Sequence, residues 1–285
     1  MGEATPRRDP SGRQALLIAL VGIAAAWVLL VAAPLLPGLP PLLGTVVVSS
    51  LLAAASFTAI CGLSGLRLRL WHEVGLMVLC GGLWYALSEI RVSPEAHIPL
   101  AATSSIVFML ACVMLGRLLS RLIREPNLLL PVLLTAAAVD IFTVSVGPTR
   151  LALEKAPEKV RSLSVDVPEA GSATGKQGAA GLTIAASIGL GDFIFAALFL
   201  TAAWRHRLEL TRAAVAATLL TVLAMSAVLL LPQIPALPLL PFIVAGVLLP
   251  NLRYFRLSAQ ERVAMVVGAL FLIVLLAVIY LVIHT

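Results

Sequence analysis

Two aspartates lie inside long apolar runs of the sequence, where a carboxyl group is costly to bury. Asp140 falls in the run from about 128 to 146, and Asp192 falls in the run from about 181 to 203. A carboxylate at mid-membrane depth is destabilising by several kcal/mol unless it is paired, hydrated or protonated, so it is a candidate for a functional role. The two residues are therefore the first place to look for chemistry.

A pair of buried carboxyl groups has a well-defined chemistry. Like charges a few ångströms apart cannot both ionise cheaply, so such a pair holds one proton. The ionised member can take a proton from water while the protonated member donates to a carbonyl oxygen, which is peptide hydrolysis without a metal ion or organic cofactor. Ion-coupled transporters and channels also use membrane aspartates, so residue type alone leaves both classes open.

The composition is that of a chain made mostly of membrane-spanning segments. Only 12% of the 285 residues are charged and 60% are hydrophobic, whereas a soluble domain has about 25% charged residues. With about 20 apolar residues per crossing, the sequence predicts an all-α, polytopic helical bundle of about nine spans. The predicted spans are 14–36, 42–63, 74–90, 98–120, 128–147, 181–203, 211–231, 235–250 and 263–283.

The basic residues indicate orientation. The net charge of +6 is scattered through short loops, which predicts contact with anionic lipid and no nucleic-acid binding. Placing the N-terminus inside puts most of the arginines on the inner side, as the positive-inside tendency requires. We therefore expect a multi-pass protein with a cytoplasmic N-terminus, and its short loops are typical of the plasma (inner) membrane of a prokaryote.

Three regions are predicted along the chain. Residues 1–127 form a four-span bundle, residues 128–250 form a membrane core with both aspartates, and residues 251–285 form a C-terminal span. The core contains one long polar loop, 147–180. Its part 151–160 is rich in helix-forming residues, and its part 162–178 is rich in Gly, Ser and Ala, which predicts a mobile linker.

Small and helix-breaking residues accompany the aspartates. Gly189 and Gly191 flank Leu190 just before Asp192, and such glycines allow another backbone to approach closely. The stretch 231–241 contains four prolines and cannot form a regular helix. Broken backbone at membrane depth is tolerated against protein or a water-filled cavity, although a simple turn between spans is the alternative.

The order of these motifs resembles that of a known family. Asp140 in one span, Gly189-Leu190-Gly191-Asp192 in the next and Pro235-Ala236-Leu237 two spans later are similar to the motifs of presenilins and signal peptide peptidases, the intramembrane aspartyl proteases. The segment from Gly147 to Glu158 also resembles presenilin. The resemblance covers roughly 128–241 and does not extend to the first four spans.

The resemblance implies a presenilin-like fold and an aspartic-type intramembrane endopeptidase. Asp140 and Asp192 would be the catalytic pair, and the substrates would be transmembrane helices of other membrane proteins within the lipid bilayer. No metal or cofactor is implied, and a need for accessory subunits stays open. The residues expected to contact substrate are Gly189, Leu190, Gly191, Pro235, Ala236 and Leu237.

Some features depart from this family or match others. Val139 stands where the family usually has Tyr, and four spans precede Asp140 where the family has five. Prepilin peptidases also use Gly-x-Gly-Asp, but they lack the Pro-Ala-Leu motif. Gly62-Leu63-Ser64-Gly65 resembles the rhomboid serine motif, but Ser64 lies near the end of a predicted span, so we expect a helix-end turn. His72-Glu73 is half of a metalloprotease motif whose second histidine is missing.

Overall fold

The structure, a computed structural model, describes residues 12–36, 41–90, 94–145, 164–171, 184–231 and 237–284. Nine α-helices and one two-stranded sheet occur in these ranges. In chain order they are α1 (Gly12–Ala32), α2 (Pro41–Ser64), α3 (Leu70–Glu89), α4 (Pro94–Leu119), α5 (Pro126–Ser145), β1 (Ser164–Pro168), β2 (Ile184–Gly189), α6 (Leu190–Arg205), α7 (Leu210–Leu230), α8 (Leu240–Asn251) and α9 (Ala259–His284).

Seven helices of the described part are long and apolar enough to cross a membrane, namely α1 to α5, α7 and α9. The other two are shorter, with 16 residues in α6 and 12 in α8, which is less than the roughly 20 residues of a full crossing. The prediction of a helical, multi-pass bundle is therefore confirmed in outline. The prediction of nine spans is not, because two of the nine helices are too short to span alone.

The predicted sixth span, 181–203, is wrong in its first part. Residues Ile184–Gly189 form β2, which pairs antiparallel with β1 so that Val165 lies opposite Ile188. Val165, Val167 and Ile188 are buried, as β-branched side chains on one face of a sheet often are. A short apolar run does not distinguish helix from strand by apolarity alone, and here the strand partner decided the outcome.

The strand β1 also corrects the prediction of a mobile linker at 162–178. Residues 164–171 are described, and within them Ser164–Pro168 is an ordered strand. The amide of Gly171 donates to the carbonyl oxygen of Ala33, at 3.0 Å, which ties this segment to the end of α1. The predicted helical stretch 151–160 and the rest of the linker lie outside the described residues.

Two glycines hold α6 and α8 close to their neighbours. A Cβ on Gly116 of α4 would overlap the backbone of Ile194 in α6, and one on Gly246 of α8 would overlap the backbone of Ala217 in α7. Small residues at such crossings let helix backbones approach closely, which drives helix packing in membranes. Both short helices are therefore fixed against long ones.

A buried ion cluster joins α2, α3 and α4 at the end of the bundle where these helices meet. Glu73 is fully buried and accepts from Arg117 at 2.9 Å and from Arg121 at 2.7 Å. The same arginines donate to the carbonyl oxygens of Leu66 and Leu68, just beyond the end of α2. The arginines thus serve both as partners of the carboxylate and as caps of a helix C-terminus.

We expect Glu73→Gln to destabilise the fold severely, because it leaves Arg117 buried without a counter-charge. Breaking a buried pair from one side costs about 3–5 kcal/mol. The measurement is the free energy of unfolding by denaturant titration in mixed micelles. Glu89→Gln is the matched control, since Glu89 is exposed at the other end of α3; equal stability of the two variants would contradict the role given to Glu73.

Candidate active site

The two aspartates lie at similar heights in the bundle. Asp140 follows the start of α5 at Pro126 by 14 residues, and Asp192 precedes the end of α6 at Arg205 by 13. At 1.5 Å per residue, each carboxyl is about 20 Å from the arginine-bearing ends of these helices. Asp192 therefore lies near the start of its helix and not in its middle, because α6 begins at Leu190 and not at the start of the predicted span 181–203.

Asp192 lies in the first turn of α6, where it closes the start of the helix. Its Oδ2 accepts a hydrogen bond from the amide of Gly189, the N-cap residue, at 3.2 Å. This is one half of a capping box, in which a side chain at the third helical position satisfies the N-cap amide. The N-terminal end of a helix also carries partial positive charge, which favours a carboxylate there.

Asp140 meets the start of a different helix. Its Oδ2 accepts a hydrogen bond from the amide of Leu240 at 3.0 Å, and Leu240 is the first residue of α8. The amide of Leu239 also interacts with this carboxyl group. The contact joins two parts of the chain 100 residues apart, so the position of α8 depends on this carboxyl group.

The structure therefore brings both aspartates to the positive ends of helices. Asp140 is close enough to Asp192 to act on it electrostatically, and both side chains are partly buried. Two like charges in such surroundings repel strongly, whereas one proton shared between them removes the repulsion. The arrangement can hold one carboxylate and one carboxylic acid.

The glycines before Asp192 border open space in the described part of the chain. A Cβ on Gly191 would have no neighbour within 4 Å, and one on Gly189 would meet only the carboxylate of Asp192, at 3.6 Å. No other described backbone lies where a Cβ on either glycine would point, and their contact with a substrate backbone stays a prediction. They leave open space next to the carboxyl group, and Leu190 between them is 37% exposed.

The Pro-Ala-Leu motif is described only at its end. Pro235 and Ala236 lie outside the described residues, as does the segment from Gly147 to Glu158. Leu237 is partly buried in a non-helical stretch that continues to Leu239. This stretch leads directly into the amides that contact Asp140, so Leu237 is near the site along the chain.

The two other protease-like motifs have structural partners. Ser64 is buried at the end of α2 and accepts a hydrogen bond from the Thr201 hydroxyl at 3.0 Å, as expected of a helix end. Glu73 belongs to the arginine cluster. No group of three or more His, Cys, Asp or Glu side chains that could hold a metal ion occurs among the described residues.

Sequence reasoning missed two parts of the site. The strand β2 was hidden in an apolar run, although the alternating valines of its partner β1 were a signal. The amide donors of Leu239 and Leu240 were missed because backbone groups leave no motif. Pro241, at the second position of α8, marks the helix start that presents them, since proline is favoured in a first turn.

Comparisons with known proteins identify no relative of this chain. No protein-family model matches the chain, and no curated protein or solved structure matches it significantly. The resemblance to presenilins thus depends on the sequence motifs alone.

Proposed function

We propose that this protein is an intramembrane aspartyl endopeptidase, related to presenilins, that cuts the transmembrane segments of other membrane proteins. The observation that carries the proposal is that Asp140 and Asp192 each accept from an amide at a helix start, about 20 Å from the arginine-rich end of the bundle, with Asp140 near enough to act on Asp192 electrostatically. Both carboxyl groups also accept from helix starts, but a neutral amide side chain would accept the same hydrogen bonds without the cost of a buried charge.

The proposed reaction uses one proton and one water molecule. The ionised aspartate takes a proton from a water molecule, and the oxygen of that water attacks the carbonyl carbon of the scissile peptide bond. The protonated aspartate donates to the carbonyl oxygen, which gives a tetrahedral diol. As the C–N bond breaks, the proton held by the dyad goes to the leaving amine, and a hydroxyl proton of the diol returns to the dyad as the new carboxylic acid forms. The amides of Gly189 and Leu240 hold the two carboxyl groups in place through these steps.

A substrate helix must unwind before its peptide bonds can reach the carboxyl groups, and β2 offers it a partner. β1 packs on α2 and α4, while β2 packs on β1 and on the helix that it enters. The edge of β2 away from β1 leads straight to Asp192. An extended segment added along that edge would receive main-chain hydrogen bonds in register.

The site and the charges also support a membrane location and an orientation. We place the chain in the plasma (inner) membrane of a prokaryote, with the N-terminus in the cytoplasm. The arginines of the cluster around Glu73 then face the cytoplasm, in agreement with the positive-inside tendency. The carboxyl pair would lie in the outer half of a hydrocarbon core about 30 Å thick.

We expect Asp140→Asn and Asp192→Asn each to reduce cleavage by at least about 100-fold, because the pair loses its base or its proton donor. In the test, purified protein is incubated with a single-span substrate, and mass spectrometry measures the masses and amounts of the cleavage products. Both variants should stay folded and be at least as thermally stable as the wild type, since each removes a costly buried charge. Glu89→Gln should cut normally; cutting by either Asn variant would refute the dyad.

A second prediction concerns the edge of β2 opposite β1, on which no other described strand pairs. Along an antiparallel strand the amides face the partner and the open edge alternately, so of Ala186 and Ser187 one donates toward β1 and the other outward. Proline at the inward position should lower the melting temperature. Proline at the outward position should keep that temperature but slow cleavage, because a substrate strand loses a donor. If both variants cut as fast as the wild type, substrate does not add to β2.

A further inference from the structure

A large groove lies on a different face of the bundle, between α1 and α7. Both helices pack on α2, which forms the floor of the groove, and the turn from α6 to α7 closes one end. The volume of the groove is about 1020 Å³. Its lining comes from α1, for example Ile18, from α2, for example Ala54 and Thr58, and from α7, for example Val215, Thr218 and Leu219.

Most of the groove is apolar and faces outward. Ile18 on one wall is 40% exposed, and Val215 and Leu219 on the other wall are 54% and 63% exposed. The hydroxyls of Thr58 and Thr218 donate to carbonyl oxygens of their own helices, at 2.7 and 2.8 Å. The hydroxyl protons of these threonines are therefore not available to a ligand in the groove. An apolar hydrocarbon chain suits this part of the groove.

The end of the groove at the α6–α7 turn is polar and basic. Gln14, Trp204, Arg207 and Thr211 lie there, and the side chain of Arg207 is exposed. Glu209, which also lines this end, accepts from Arg253 and from the Tyr254 hydroxyl, both at 2.8 Å. The carboxylate of Glu209 is thus paired with residues that follow α8, while Arg207 provides positive charge to the groove.

We propose that this groove binds one anionic phospholipid, with the headgroup phosphate at Arg207 and an acyl chain along α2 toward Leu219. The groove matches such a molecule in polarity, charge and length, since Leu210 to Leu219 spans about 14 Å of α7. Trp204 lies at the polar end of the groove, and tryptophan is favoured at a membrane interface. The site is independent of the aspartates and of any protease activity.

The test compares phosphatidylglycerol with phosphatidylcholine, added at equal mole fraction to the full chain in a neutral detergent. Native mass spectrometry counts bound lipids, and thermal unfolding follows the stabilisation that binding produces. We expect one retained phosphatidylglycerol and an affinity about fivefold above that for phosphatidylcholine, as one basic residue near an anionic headgroup provides. Equal affinities for the two lipids would overturn the proposal.

Variants separate the headgroup from the chain. Arg207 has a φ of 55°, a conformation that Asn tolerates, so Arg207→Asn removes the charge without straining the turn. This variant should lose the preference for phosphatidylglycerol, and Arg256→Gln, which removes an exposed arginine outside the groove, should keep it. Ala54→Phe, which fills the floor, should weaken binding of both lipids.

Two results would contradict the proposed site. Retention of the lipid preference in Arg207→Asn would place the headgroup elsewhere. Equal stabilisation by glycerol 1-phosphate, which has the phosphate but no acyl chain, would show a site for a small anion and no role for the apolar groove.

Discussion

The structure depends on one constraint, the need to satisfy two carboxyl groups inside an apolar bundle. Each carboxyl group accepts from a backbone amide at the start of a helix, Asp192 from Gly189 and Asp140 from Leu240. A helix can offer such amides at mid-membrane depth only if it begins there. Among the described helices, α6 and α8, with 16 and 12 residues, are too short to span alone, and each begins at or next to the residue whose amide its aspartate accepts from.

Short helices of this kind need support from the rest of the bundle. Gly116 brings α4 against α6, and Gly246 brings α8 against α7, so long helices hold both helix starts in place. The cluster of Glu73 with Arg117 and Arg121 fixes the opposite end, where α3 and α4 meet the end of α2. A site is accurate only if its supporting residues are themselves held, and here packing glycines and a buried ion cluster do this.

The sequence predicted the helical, membrane-like architecture because a long apolar segment in a membrane can satisfy its backbone hydrogen bonds in few ways other than a helix. It also singled out Asp140 and Asp192, since acidic residues stand out against apolar neighbours, and their role as a site stays a prediction. It failed where a local pattern is ambiguous: 184–189 is apolar enough for a helix, but pairing with β1 made it a strand. The open space at Gly191 and the amide of Leu240 depend on tertiary contacts, which composition and motifs do not encode.

The position of the cut within a substrate tests the central claim most directly. A single-span substrate of known orientation would be reconstituted with the purified protein in liposomes, and the product masses would locate the broken bond. A carboxyl pair about 20 Å from the arginine-rich side predicts a cut about 13 residues into the apolar segment from that side. Cuts only outside the apolar segment, or no cut in any substrate tested while ions cross the liposome membrane, would contradict the account.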